Sequence, residues 1–129
     1  MDAHTALIAA LQSDDRIRLA VIFGSAARGT SSSQNDFDIG VLGLPIRDLP
    51  KTAVHLARVV GREVDLVDLA SAPPLLRVEI ARDGRVLVAR PTHLWADFKE
   101  QALIDWWDWA PLAKRFGAAA MARLSAGAR

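Results

Sequence analysis

Residues 18–42 read RLAVIF-GSAARGTSSSQN-DFDIGVL, and the way this stretch divides sets the reading of the whole chain. Arg18 to Phe23 is a short apolar run closed by Gly24, which predicts a buried strand. Asp36 to Leu42 predicts a second. Between them, Gly24 to Asn35 opens as a helix start and dissolves into a serine-rich loop. Side chains two apart on a strand project to one face, so Asp36 and Asp38 present their carboxylates side by side. Such a pair repels, and one carboxyl should hold its proton more tightly unless positive charge sits between them. A pair of Mg²⁺ ions resolves the conflict, because magnesium takes oxygen ligands and keeps room for water and substrate phosphates.

Gly24-Ser25 supplies the complement. Free N–H groups at a helix start, with the Ser25 hydroxyl, make a cradle for a phosphate, and Gly24 lets that phosphate approach the main chain. Arg28, one turn on, can add a guanidinium to phosphate or acceptor. Either feature alone is ordinary: a Gly-Ser after a strand is common punctuation, and an aspartate pair is often a solvated strand end. Their spacing, Gly24-Ser25-x10-Asp36-x-Asp38, is what points to nucleotide chemistry.

Outward from this stretch, residues 3–12 predict a short first helix, and Leu49 to Gly61 a second with glycine as its stop. Glu63 to Leu69 alternates as a third strand. It offers Asp65 as a third carboxylate, for metal or for the proton of an acceptor hydroxyl. Asp68 competes, but an odd separation should turn it to the other face. A helix beginning at Ala72-Pro73-Pro74 runs to Arg82, Asp83-Gly84 makes a turn, and Arg85 to Ala89 is a fourth strand. From Thr92 the chain is expected to be helical to its end, interrupted at Pro111. The fold expected is α/β (α+β): a small mixed sheet covered by helices on one side, with a long C-terminal helical segment. All 129 residues are assigned to a single domain.

Trp95, Phe98, Ala102, Trp106 and Trp109 recur at helical spacing and read as a stripe packed on the sheet. Trp107 falls off that stripe, and with Leu112 and Phe116 nearby it suggests a face that docks a helical partner. His4, His55 and His93 lack metal spacing.

Composition narrows the classes. The absence of cysteine excludes disulfides, thiol catalysis and cysteine zinc sites. No run of about 18 apolar residues spans a membrane. Met1 to Leu11 is too short and polar for a signal peptide, so a cytoplasmic protein is expected. A net charge of +1 argues against nucleic acid as a partner. No Gly-Lys-Ser or Gly-Lys-Thr exists, which removes a P-loop NTPase.

Taken together, these residues resemble the polymerase-β-type nucleotidyltransferase superfamily. Among its members the chain resembles the minimal nucleotidyltransferases, the antitoxin half of HEPN–MNT toxin–antitoxin pairs. The likeness continues through Ala27-Arg28-Gly29-Thr30, Val64-Asp65-Leu66-Val67-Asp68-Leu69, Pro73-Pro74-Leu75-Leu76-Arg77 and Arg82-Asp83-Gly84. It implies a nucleotidyltransferase fold and a magnesium-dependent enzyme with ATP as substrate. Asp36, Asp38 and Asp65 are implied as catalytic residues and metal ligands, and Gly24, Ser25 and Arg28 as nucleotide contacts. It further implies transfer of AMP to a tyrosine of a partner HEPN ribonuclease in a hetero-oligomer. Asn35 stands where the family often has serine. Trp106-Trp107 replaces an expected phenylalanine or tyrosine, and with no tyrosine anywhere the chain cannot modify itself on that residue. Two other readings stay open: an antitoxin that only binds, and a transferase acting on a small-molecule hydroxyl.

Overall fold

The apolar runs become strands of one sheet. In the computed structural model, which describes residues 2–24 and 36–117, these are β1 (Leu19–Phe23), β2 (Phe37–Leu42), β3 (Val64–Asp68) and β4 (Arg85–Ala89). Their order is β3-β2-β1-β4. β1 is antiparallel to both β2 and β4, while β2 and β3 run parallel. The sheet is therefore mixed, as expected. The helices are α1 (Ala3–Gln12), α2 (Leu49–Val60), α3 (Pro74–Asp83) and α4 (Leu94–Phe116). A parallel pair needs a crossover, and α2 provides it between β2 and β3.

The expectation of helices on one side is corrected: they cover both faces. On one face Ala20, Ile22, Phe37, Ile39 and Val41 pack with Leu7 and Leu11 of α1 and Leu56 of α2. On the other, Leu19, Val21 and Leu69 pack with Ile80 of α3 and with Phe98 and Ala102 of α4. The reason is legible in β1 itself. LAVIF is apolar at every position, and a strand needs that only when both of its faces are buried.

Local chemistry holds the frame. Asp2 caps α1, its Oδ1 accepting from the Thr5 N–H at 2.7 Å. Gly61 ends α2 in the left-handed conformation. Arg90, just past β4, donates to the carbonyl oxygens of Gln12 (3.1 Å) and Asp14 (2.9 Å), tying the α1–β1 turn to the sheet. Between the helices of the second face, Arg77 Nη1 reaches Asp105 Oδ2 at 2.8 Å and lies over the Phe98 ring.

Gly84 sets how closely α3 approaches the sheet. A Cβ there would lie 2.5 Å from the Ile80 carbonyl oxygen and 2.6 Å from Val21 Cγ1. Only glycine lets the end of α3 close this tightly on β1.

A second correction concerns Pro111, which does not interrupt α4. Proline removes one N–H and leaves the carbonyl of Trp107 without its helical donor. Trp107 is 76% exposed, on a part of the helix where water can serve that carbonyl. Among the described residues no helix is long and apolar enough to cross a membrane.

Candidate active site

β1 ends at Phe23, which stands opposite Asp38 on β2. Gly24 follows with φ at 74°, a left-handed conformation that favours glycine. A Cβ on Gly24 would come within 2.7 Å of Asp38 Oδ2, so the glycine also makes room for that carboxylate. On its other side Asp38 stands opposite Asp65 of β3 in the parallel register. Asp36 directly precedes β2. Asp38 is thus flanked by a glycine turn, by a carboxylate on the next strand and by another two residues back.

The electrostatics follow from this placement. Asp38 is half-buried while Asp36 and Asp65 are exposed. Burial raises the Asp38 carboxyl above its ordinary value of 3.8, and the charges of Asp65 and then Asp36 raise it further. The charges of Asp65 and Asp36 acting on Asp38 make a site that a bound cation or a proton would relieve. Among the described residues no group of three His, Asp or Glu side chains is drawn together closely enough to hold a metal ion as it stands. The donor chemistry nevertheless suits magnesium, since every available ligand is a carboxylate oxygen. Asp36, Asp38 and Asp65 are the residues that would hold it.

Asp68 is turned elsewhere. It stands opposite Val41, accepts a hydrogen bond from Ser71 Oγ at 2.8 Å, and lines a hollow with Ile46, Leu49 and Leu66. Ser25 and Arg28 lie outside the described residues.

Among the described residues, two clefts border the acidic cluster. One, of about 240 Å³, runs along the β3 edge and is lined by Ala53, Val54, Ala57, Glu63, Val64 and Asp65. The other, of about 270 Å³, lies between the end of β1 and α3. Its walls are Phe23, Gly24, Leu76, Glu79, Arg82 and Asp83. Sequence patterns do not single out Glu79 or Arg82 as site residues. Nothing in the local pattern of α3 says that it will lie beside Gly24, and only the closure at Gly84 brings it there.

Along α4, Phe98 and Ala102 are buried, and Trp95, Trp106 and Trp109 are partly so. Trp95 stacks on Phe98 with ring centroids 5.9 Å apart. The opposite side of the helix carries Leu103, Ile104 and Trp107, all exposed. The stripe therefore turns inward as its spacing predicts, and Trp107 falls off it onto an exposed outer face.

Fold and site together define a class. The family model described as polymerase beta, nucleotidyltransferase, matches residues 5–93, a stretch containing Gly24, Asp36, Asp38 and Asp65. The chain belongs to that family. Over 102 residues it is 28% identical to the protein adenylyltransferase MntA of Aphanizomenon flos-aquae, covering 69% of this chain and 68% of that one. Its fold is similar to a crystal structure of a toxin–antitoxin with AMP-PNP, with a TM-score of 0.79 and 24% identity over 92% of this chain and 98% of that one. It is similar also to a tri-AMPylated Shewanella oneidensis HEPN toxin in complex with MNT antitoxin. There the TM-score is 0.73, with 23% identity over 92% of this chain and 96% of that one.

Proposed function

We propose that this protein is an antitoxin that transfers AMP from ATP to a tyrosine of a partner HEPN ribonuclease toxin. The observation that carries the reading is Asp38, held between the Gly24 turn and Asp65 of the adjacent strand, in a chain of the nucleotidyltransferase family. The name of the Aphanizomenon relative supports AMP as the group transferred and a protein as its acceptor. The toxin complexes that share the fold indicate the kind of partner.

In this reading the triphosphate lies against the Gly24 turn, with Ser25 and Arg28 as further contacts. Asp36, Asp38 and Asp65 would hold Mg²⁺, which when bound supplies the positive charge that a triphosphate and its leaving group require. Asp65, exposed on the β3 edge, takes the proton of the acceptor hydroxyl in this reading. The acceptor oxygen then forms its bond to the α-phosphorus. The bond from that phosphorus to the bridging oxygen breaks, and its electron pair leaves with pyrophosphate. The Gly24 turn and Asp38 fix the substrate phosphates relative to that attack, which is where positioning gains its effect.

Intact-protein mass spectrometry of the partner toxin, after incubation with this protein, ATP and Mg²⁺, tests the reading. Mass added in AMP-sized steps is expected. A stable complex with no added mass would replace the enzyme with an antitoxin that only binds. That second reading draws on the bare outer face of α4.

The same face yields a separate expectation. Trp107→Ala should weaken partner binding about thirtyfold, the range for a central tryptophan at an interface. Its thermal midpoint should change little, because the side chain is outside the core. Calorimetric titration with the toxin reads the change in affinity and a thermal melt reads the midpoint. An unchanged dissociation constant would remove this face from the interface.

A further inference from the structure

The cleft between β1 and α3 has no role in the reaction as described, yet strand order gives it one. Asp65, Asp38 and Gly24 stand on β3, β2 and the end of β1, three neighbouring strands of one sheet. In an in-line displacement the attacking and leaving oxygens lie on opposite sides of the phosphorus. With the acceptor activated at Asp65, on the β3 side, the leaving pyrophosphate departs toward β1. There it meets the cleft walled by Phe23, Gly24, Leu76, Glu79, Arg82 and Asp83.

Arg82 is the cation on that wall. Its side chain is 69% exposed, and its one described ion pair runs from Nε to Asp83 Oδ1 at 3.6 Å, longer than a hydrogen bond. Among the described residues its two Nη atoms have no partner, which leaves the planar fork that suits phosphate oxygens. Glu79 and Asp83 put two carboxylates on the same wall. Among the described residues of this wall, Arg82 is the one that offers a phosphate positive charge. Without the arginine, the charged residues described on this wall are carboxylates alone.

We infer that Arg82 binds the terminal phosphates of ATP and receives the departing pyrophosphate, so that α3 reads the nucleotide as a triphosphate. This rests on the proposed nucleotidyl transfer and names a substrate-binding residue within it. Glu79, about one turn back on the same helix and the same wall, weakens that binding by repulsion. The two residues therefore predict shifts of opposite sign, which a merely structural role would not produce.

Isothermal titration of the full chain with AMP-PNP and with AMP, in Mg²⁺ buffer, tests the inference. Arg82→Gln is expected to weaken AMP-PNP binding about tenfold to a hundredfold and leave AMP binding unchanged. Arg82→Lys should recover part of the loss, since it restores the charge and not the fork. Glu79→Gln should tighten AMP-PNP binding about threefold, and more so at low salt. Both positions are exposed, so thermal midpoints should stay at the wild-type value. Wild-type AMP-PNP affinity in Arg82→Gln, or equal losses for AMP and AMP-PNP, would overturn the assignment and leave the proposed transfer standing. Failure of the wild-type chain to bind AMP-PNP at all would overturn both.

Discussion

Replacing Asp36 and Asp38 together by asparagine is expected to abolish AMP transfer, a fall of at least about a thousandfold, while the fold is retained. The size follows from the work asked of these carboxylates. In the proposed reaction they would hold the cation whose charge offsets the triphosphate and its leaving group, an effect on the order of 4 kcal/mol in the transition state. Asparagine matches aspartate in shape but not in charge, so packing around Gly24 should survive and the proposed cation binding should not. Rates from single-turnover transfer to the toxin, read by mass spectrometry, measure the loss. Activity within tenfold of wild type would sink the acid-cluster mechanism.

The same variant carries a stability signature of its own. The Asp38 carboxyl is held above 3.8 by burial and by its two acidic neighbours. The folded chain therefore takes up a proton there more readily than the unfolded chain. That costs stability at neutral pH, and the cost is relieved as pH falls through the raised value toward 3.8. Asp36→Asn with Asp38→Asn should accordingly melt at or above the wild-type temperature at pH 7. The difference between the two proteins should shrink as the solution is acidified. A variant that melts well below wild type at pH 7 would mean that these carboxylates stabilise the fold, against the repulsion described here.

Gly24→Ala is expected to have the next largest effect, lowering transfer roughly a hundredfold and costing about 1–3 kcal/mol of stability. Two penalties add. The backbone at φ 74° is strained for any residue with a Cβ, and that Cβ would lie 2.7 Å from Asp38 Oδ2. Relief comes only by moving the carboxylate or the turn, and either shift would displace the proposed phosphate site from the acid proposed to serve it. Transfer kinetics beside a thermal melt separate the two losses. A variant that melts lower yet transfers AMP at the wild-type rate would show that the close approach of turn and acid is dispensable.

Much of this site is legible in the linear text. The apolar run LAVIF ended by Gly24 defines a strand and its stop, because burial and chain reversal are local demands. The two-residue period of a strand likewise separates Asp65 from Asp68, and Asp68 does face the hollow beside Leu66. Where pattern and structure part, the cause is physical. Proline is scored as a helix breaker, yet at Pro111 the helix runs through it. The same residues that mark β1 as buried also imply cover on both faces, a consequence that the count of helices alone does not reveal.

What the sequence by itself determined was therefore the strands, the helices, the glycine turn and the spacing of turn and acids. Each depends on neighbours along the chain, whose side-chain directions are set by backbone periodicity. Tertiary structure alone decided that Asp65 stands opposite Asp38, that α3 closes against β1 at Gly84 and places Arg82 beside Gly24, and that one side of α4 stays bare. These are relations between segments far apart in the chain. Register across β2 and β3 is set by how α2 packs in crossing between them, and the approach of α3 is set by what fits against Val21. No local period encodes either.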